Sequence, residues 1–150
     1  MLHGVGVSNG IGWNSDNTIM YFADSPTHCI YAFDFDASEG TLANRRVFAQ
    51  NSGEVGIPDG LTVDSAGYVW CAYWDGAKII RYAPAGSVAR VIEVPALRPS
   101  SCVFGGENLT DLYITSAAED DPQRQQYPFS GDLLRLKTDS KGQVKYKFAG

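Results

Sequence analysis

Basic residues are scarce in this sequence, and where they occur they do not gather. Twelve Lys and Arg stand against seventeen Asp and Glu, a formal net charge of −5. The longest basic cluster is Arg45-Arg46, and beyond it only scattered lysines of the tail remain. Nucleic-acid binding needs a stripe of cations to neutralise phosphates, so no nucleic-acid partner is expected. Long apolar runs are missing too. No stretch approaches the ~18 consecutive apolar residues of a membrane span, so no membrane partner is expected either. Met1 to Val7 has no basic start and no apolar core of adequate length, which argues against a secretory leader. Cysteine is sparse: Cys29, Cys71 and Cys102 lie far apart, and no C-x-x-C occurs. Each sits in or beside an apolar run and reads as a buried free thiol, so a reducing cytoplasm is the expected location. There is no G-x-S-x-G nucleophile motif. Gly105-Gly106 lacks the lysine and spacing of a phosphate loop.

What is plentiful points to β structure. The chain has 150 residues, 44% hydrophobic and 19% charged, which suits one folded domain with a buried core rather than a disordered segment. Aromatics reach 12%, and there are 16 glycines. Aromatic strands punctuated by glycine turns suit an all-β fold. No apolar stripe of 3.6-residue period runs for a helical length.

The segments repeat. Asn9-Gly10 opens a short apolar run, a polar turn at Asn14–Asn17 and an aromatic strand at Ile19–Ala23. Asp59-Gly60 opens the same sequence of features, with a turn at Asp64–Gly67 and a strand at Tyr68–Tyr73. A fainter copy starts at Ser100, with its turn at Gly105–Asn108 and its strand at Asp111–Thr115. Third strands fall at Cys29–Phe35, Lys78–Tyr82 and Asp132–Leu136. Outer strands fall at Arg45–Phe48, Val88–Val94 and Val144–Phe148. Starts at residues 9, 59 and 100 match the ~40–50 residue period of propeller blades. The prediction is therefore an all-β chain of about three four-stranded blades, with residues 1–150 forming one partial β-propeller and no second domain. Propellers close a ring of ~4–8 blades, so an open arc of three leaves apolar blade faces uncovered. A second copy of the chain, or a missing half, would close a ring of six.

Several spaced segments carry a resemblance. They are Val7-Ser-Asn-Gly-Ile-Gly-Trp13, Tyr21-Phe-Ala-Asp-Ser25, Ile57-Pro-Asp-Gly-Leu-Thr-Val-Asp-Ser-Ala-Gly-Tyr-Val-Trp70 and Leu112-Tyr-Ile-Thr-Ser116. In this order they resemble the senescence-marker protein/gluconolactonase/luciferin-regenerating enzyme (regucalcin-like) family, here over its C-terminal half. The resemblance implies a six-bladed propeller and a hydrolase of sugar lactones using one divalent cation, Ca or Zn, with Mg or Mn as further candidates. A phosphotriesterase-like hydrolase and a non-catalytic calcium-binding or interaction half-propeller are the alternatives.

On this resemblance, Asn9 and Asp59 are the two metal ligands present, and Asp59 is also the catalytic base. A third ligand, a glutamate, and the substrate-contacting side chains would lie in the absent half. Asn9 and Asp59 begin equivalent repeat units, which lets both point at one axis, and hard cations take such oxygen ligands. A competing reading treats Asn-Gly and Asp-Gly as hairpin turns. At the third equivalent position, Ser100 or Ser101 offers only a hydroxyl. His3 and His28 share no repeat position and are not expected to act. Asp34 with Asp36, and Glu119 with Asp120 and Asp121, read as solvated turn and loop carboxylates. Trp13, Tyr21, Tyr31, Phe33, Trp70 and Tyr82 are expected to pack between blades. Trp74 either joins them or faces the channel mouth.

Overall fold

The structure, a computed structural model, describes residues 2–118 and 125–144. Eleven strands run in chain order among them. They are β1 (Ser8–Trp13), β2 (Ile19–Asp24), β3 (Cys29–Asp36), β4 (Thr41–Gln50), β5 (Ile57–Val63), β6 (Val69–Trp74), β7 (Lys78–Tyr82), β8 (Val88–Glu93), β9 (Arg98–Gly105), β10 (Asp111–Ala117) and β11 (Leu134–Lys137). A single 3-10 turn, Ser25–Thr27, separates β2 from β3. Among the described residues no helix is long and apolar enough to cross a membrane.

Each strand pairs antiparallel with its sequence neighbour, giving sheets β1-β2-β3-β4, β5-β6-β7-β8 and β9-β10-β11. The fold is all-β and propeller-like. Of the outer strand expected at Val144–Phe148, residues 145–148 lie outside the described residues, and the third sheet has three strands there. The acidic cluster Glu119, Asp120 and Asp121 also lies outside them.

Period-two alternation explains the stacking. In β6 every residue from Val69 to Tyr73 is buried. Val69, Cys71 and Tyr73 pack with Tyr21, Ala23 and Ile30 of the first sheet. Trp70 and Ala72 point the other way, onto Cys102, Phe104, Leu112 and Ile114 of the third. The middle sheet is thus buried on both faces. Tyr21, Trp70 and Tyr82 pack between sheets as expected. Trp13, Tyr31 and Phe33 instead join Met20 and Phe22 on the first sheet's far face, covered in part by Leu2 and Val5. The outer strands β4 and β8 are mostly exposed.

The first strands of the three sheets lie side by side at the narrow edge of the stack. A Cβ placed on Gly10 would sit 2.5 Å from both the Asp59 carbonyl oxygen and the Leu61 amide nitrogen, and one on Gly60 would strike Ser101. Only glycine permits backbones this close. At the far end of these strands, residues 138–143 run back beneath the sheets. The Ser65 amide donates to the Lys141 carbonyl, Gly142 bridges to Asp64, and the Gln143 side chain donates to the Trp13 and Asp64 carbonyls at 3.1 and 3.3 Å.

Candidate functional site

Asn9 and Asp59 stand on neighbouring first strands at the same irregularity. The β1–β2 register shifts between Ser8 and Ile11, and the β5–β6 register shifts between Pro58 and Leu61. Both Asx-Gly pairs are therefore β-bulges inside strands, and the hairpin-turn reading is corrected. A bulge re-aims its side chain out of the regular pleat, and the glycine that follows lets the strands close together. β9 bulges at the corresponding place, opposite Thr115 and Ser116. There the Ser100 hydroxyl pairs with the Thr115 hydroxyl at 2.9 Å, and Ser101 packs against Gly60.

The two side chains meet. Both are half-buried and line one cleft, where the Asn9 amide lies near enough to favour the ionised Asp59 carboxylate. Asn9 Nδ2 also donates to Ser25 Oγ at 3.2 Å, and Ser25 Oγ donates to the Pro58 carbonyl at 2.7 Å. Burial raises the pKa of Asp59, while the Asn9 amide and the Gly60 N–H act in the opposite direction. Desolvation wins because the carboxylate stands at the mouth of a cleft with largely apolar walls. The cleft holds about 290 Å³. Asn9, Ser25, Asp59 and Trp74 line it together with Val7, Pro26 and Ile57. Trp74 thus takes the cleft-facing of its two expected roles.

An amide oxygen and a half-buried carboxylate are oxygen donors suited to a hard cation, and the positive charge would offset the desolvation that Asp59 bears. They fit such an ion as part of its ligand set. Calcium takes ~6–8 oxygens, and among the described residues no group of three His, Cys, Asp or Glu comes together.

Other candidates sit elsewhere. Asp34 is bound by Asn44 at 2.7 Å and Arg46 at 2.8 Å, and these bonds lower its pKa. Asp36 accepts from Ser38 and from the Glu39 amide, which lowers its pKa as well. Both carboxylates reach solvent as expected, but they stand within β3, paired to β4, and the turn reading is corrected. His3 is exposed, and His28 closes the 3-10 turn in a left-handed conformation. The three cysteines are free and buried. Burial pushes the Cys71 thiol, beneath Asp59, well above its ordinary value, and raises Cys102 to about 12.

Sequence reasoning missed two residues. Ser25 is one: it falls at the repeat position that Trp74 occupies in the second unit, a signal legible once Trp74 is placed in the cleft. Asp24 is the other. Fully buried, it accepts from the Gly6 and Val7 amides at 3.1 Å and so fastens the chain entering β1.

Stacked antiparallel sheets whose first strands bring an amide and a carboxylate to one apolar-walled cleft define a propeller-like protein. Residues 1–118 match the model for the SMP-30/Gluconolactonase/LRE-like region. The chain belongs to that family. It is 35% identical to regucalcin of Sus scrofa over 150 residues, covering 97% of this chain and 50% of the relative. It is 38% identical to 6-deoxy-6-sulfogluconolactonase of Pseudomonas putida over 148 residues, covering 96% and 50%. Among solved structures, a calcium-binding regucalcin from Agrobacterium tumefaciens superimposes with a TM-score of 0.87 at 28% identity, covering 94% of this chain and 49% of that one. The chain spans about half the length of the relatives it matches.

Proposed function

We propose that this chain supplies the metal-holding half of a divalent-metal-dependent sugar-lactone hydrolase. The observation that carries the reading is the meeting of Asn9 and Asp59 at matching bulges in one cleft. The similarity to a sulfogluconolactonase supports a lactone substrate. The similarity to a calcium-binding regucalcin supports calcium, with zinc, magnesium or manganese as the other candidates. A missing N-terminal half or a second copy of the chain completes the ring and the ligand set. Three free thiols suit a cytoplasmic location.

Asn9 Oδ1 and the Asp59 carboxylate would hold the ion. The bound ion supplies polarisation of the lactone carbonyl and stabilisation of the charge that develops on its oxygen. Asp59 takes a proton from the attacking water and passes it to the departing ring oxygen. The water oxygen bonds to the acyl carbon, the ring C–O bond breaks, and a hydroxy acid leaves. Burial raises the proton affinity of Asp59, which suits a base, whereas cation binding opposes it. Val7, Pro26, Ile57 and Trp74 give the cleft apolar walls against which a lactone ring would pack.

A second reading, a non-catalytic cation-binding module, is favoured because no third His, Cys, Asp or Glu joins these ligands among the described residues. Native mass spectrometry followed by lactone hydrolysis separates the two. Closed dimers or reconstituted full-length protein whose turnover a chelator abolishes, and whose Asp59→Ala variant is inactive, support the hydrolase. Turnover that survives Asp59→Ala sinks the site assignment. Ion binding with no turnover in the completed ring supports the module.

A further inference from the structure

We propose that Ser25 is a positioning residue that decides which end of the Asn9 amide faces the cleft. On the metal-centre reading above, on which this consequence rests, it thereby presents the amide oxygen to the ion. Ser25 is 3% exposed, and its single hydroxyl proton is committed to the Pro58 carbonyl at 2.7 Å. Only lone pairs are left to face Asn9, and the atom they meet at 3.2 Å is Nδ2. The nearby Asp59 carboxylate, an acceptor when ionised, favours the same orientation. A reversed amide would set Oδ1 against the Ser25 lone pairs.

Asp59 is itself an ion ligand on that reading, so its influence on the Asn9 amide competes with the ion. Ser25 stands outside that competition. It keeps Nδ2 whichever way Asp59 is engaged, and a hard cation takes an amide through its oxygen. The serine is also held firmly. Pro26 follows it in the 3-10 turn, Thr27 Oγ1 donates to the Asp24 carbonyl at 2.9 Å, and the Asp24 carboxylate ties down residues 6 and 7. Its bond to Pro58 reaches the strand that carries Asp59, so one hydroxyl fixes the amide relative to both strands. Partners that orient a ligand in this way typically matter 10–100-fold in metal affinity.

The test uses the completed ring, as closed dimer or reconstituted full-length protein, labelled with nitrogen-15 and freed of ions. The Asn9 side-chain NH2 pair is identified by its disappearance in Asn9→Asp. Its protons should exchange slowly with water in the wild type and in Ser25→Thr, which keeps a hydroxyl, and rapidly in Ser25→Ala. If Ser25→Ala does not fold, Ser25→Cys replaces it, because sulfur is a poor acceptor. Mn²⁺ binding followed by electron paramagnetic resonance should weaken about ten-fold in the same variant and stay near wild type in Ser25→Thr. Unchanged NH2 exchange in Ser25→Ala overturns the proposal. Altered exchange with unchanged Mn²⁺ affinity overturns its consequence for the ion. Altered exchange in Ser25→Ala, with a completed wild-type ring that binds no Mn²⁺, upholds the positioning and overturns the metal reading.

Discussion

Replacing Gly10 with alanine puts a methyl group where β5 already is. The added carbon lies 2.5 Å from the Asp59 carbonyl oxygen, 2.5 Å from the Leu61 amide nitrogen and 2.8 Å from Leu61 Cγ. Those distances fall about 1 Å short of ordinary contact. Two of the three obstacles are backbone, so no rotamer change relieves them and β1 must move away from β5. Overpacking usually costs about 1–3 kcal/mol, and a backbone obstacle places this change near the top of that range. For a chain of this size the melting temperature should fall by roughly 6–12 °C. Gly12→Ala is the internal control, because its added carbon meets Leu61 Cδ1 at 3.0 Å and Val63 Cγ2 at 3.1 Å, both side-chain tips able to shift. That variant should lose about 1 kcal/mol. Urea denaturation of both, read by tryptophan fluorescence, measures the difference. Mn²⁺ titration reports whether Asn9 and Asp59 have parted. A Gly10→Ala protein within about 0.5 kcal/mol of wild type, or no worse than Gly12→Ala, would refute the argument that these backbones touch.

Tyr82→Phe leaves the Tyr73 hydroxyl, now 2.5 Å from its partner in the core, without a bond, and urea denaturation at pH 8 should show a loss of about 1–3 kcal/mol. The pH dependence has a definite sign. Burial raises Tyr82 to about 12 and Tyr73 further still, so the unfolded chain ionises first. Stability should hold below pH 10 and fall as the pH climbs from there toward 12, less steeply in the variant. Asp64→Ala deprives Trp70 Nε1, at 3.0 Å, and Arg81, at 3.2 Å, of a carboxylate that is 1% exposed. Loss of about 3–5 kcal/mol is expected in the same assay. Cys71 and Cys102 should ignore a thiol reagent in the native protein at pH 8 and react only after urea is added, since burial holds both in the thiol form.

Strands with a buried face announce themselves in this sequence, whereas those at the rim do not. The aromatic alternation of Ile19–Ala23 and Tyr68–Tyr73 lies within one residue of β2 and β6 because each side chain there has a defined neighbour. By contrast, β4 runs over Thr41–Gln50, far beyond the Arg45–Phe48 expected, because an exposed outer strand carries little periodic signal. Equivalent repeat positions identify Asn9 and Asp59 as a pair. Their dipeptides alone suggest turns, since local turn chemistry cannot reveal that a neighbouring strand needs glycine at Gly10 and Gly60. Ser25 escapes for a related reason. A serine beside a proline looks like any turn serine until the Pro58 carbonyl of another sheet is brought against it.

The segment beneath the sheets bears on the order of folding. Gln143 and Trp13 are 130 residues apart, yet one side-chain amide joins them. A hydrogen bond contributes about 1 kcal/mol net, too little to offset closing so long a loop in an unstructured chain. That clasp can therefore form only after the three sheets have stacked and brought its ends together. It acts as a latch on an assembled arc, and the amide of Ser65, which donates to the Lys141 carbonyl, should be late-protected when refolding is followed by pulsed hydrogen exchange.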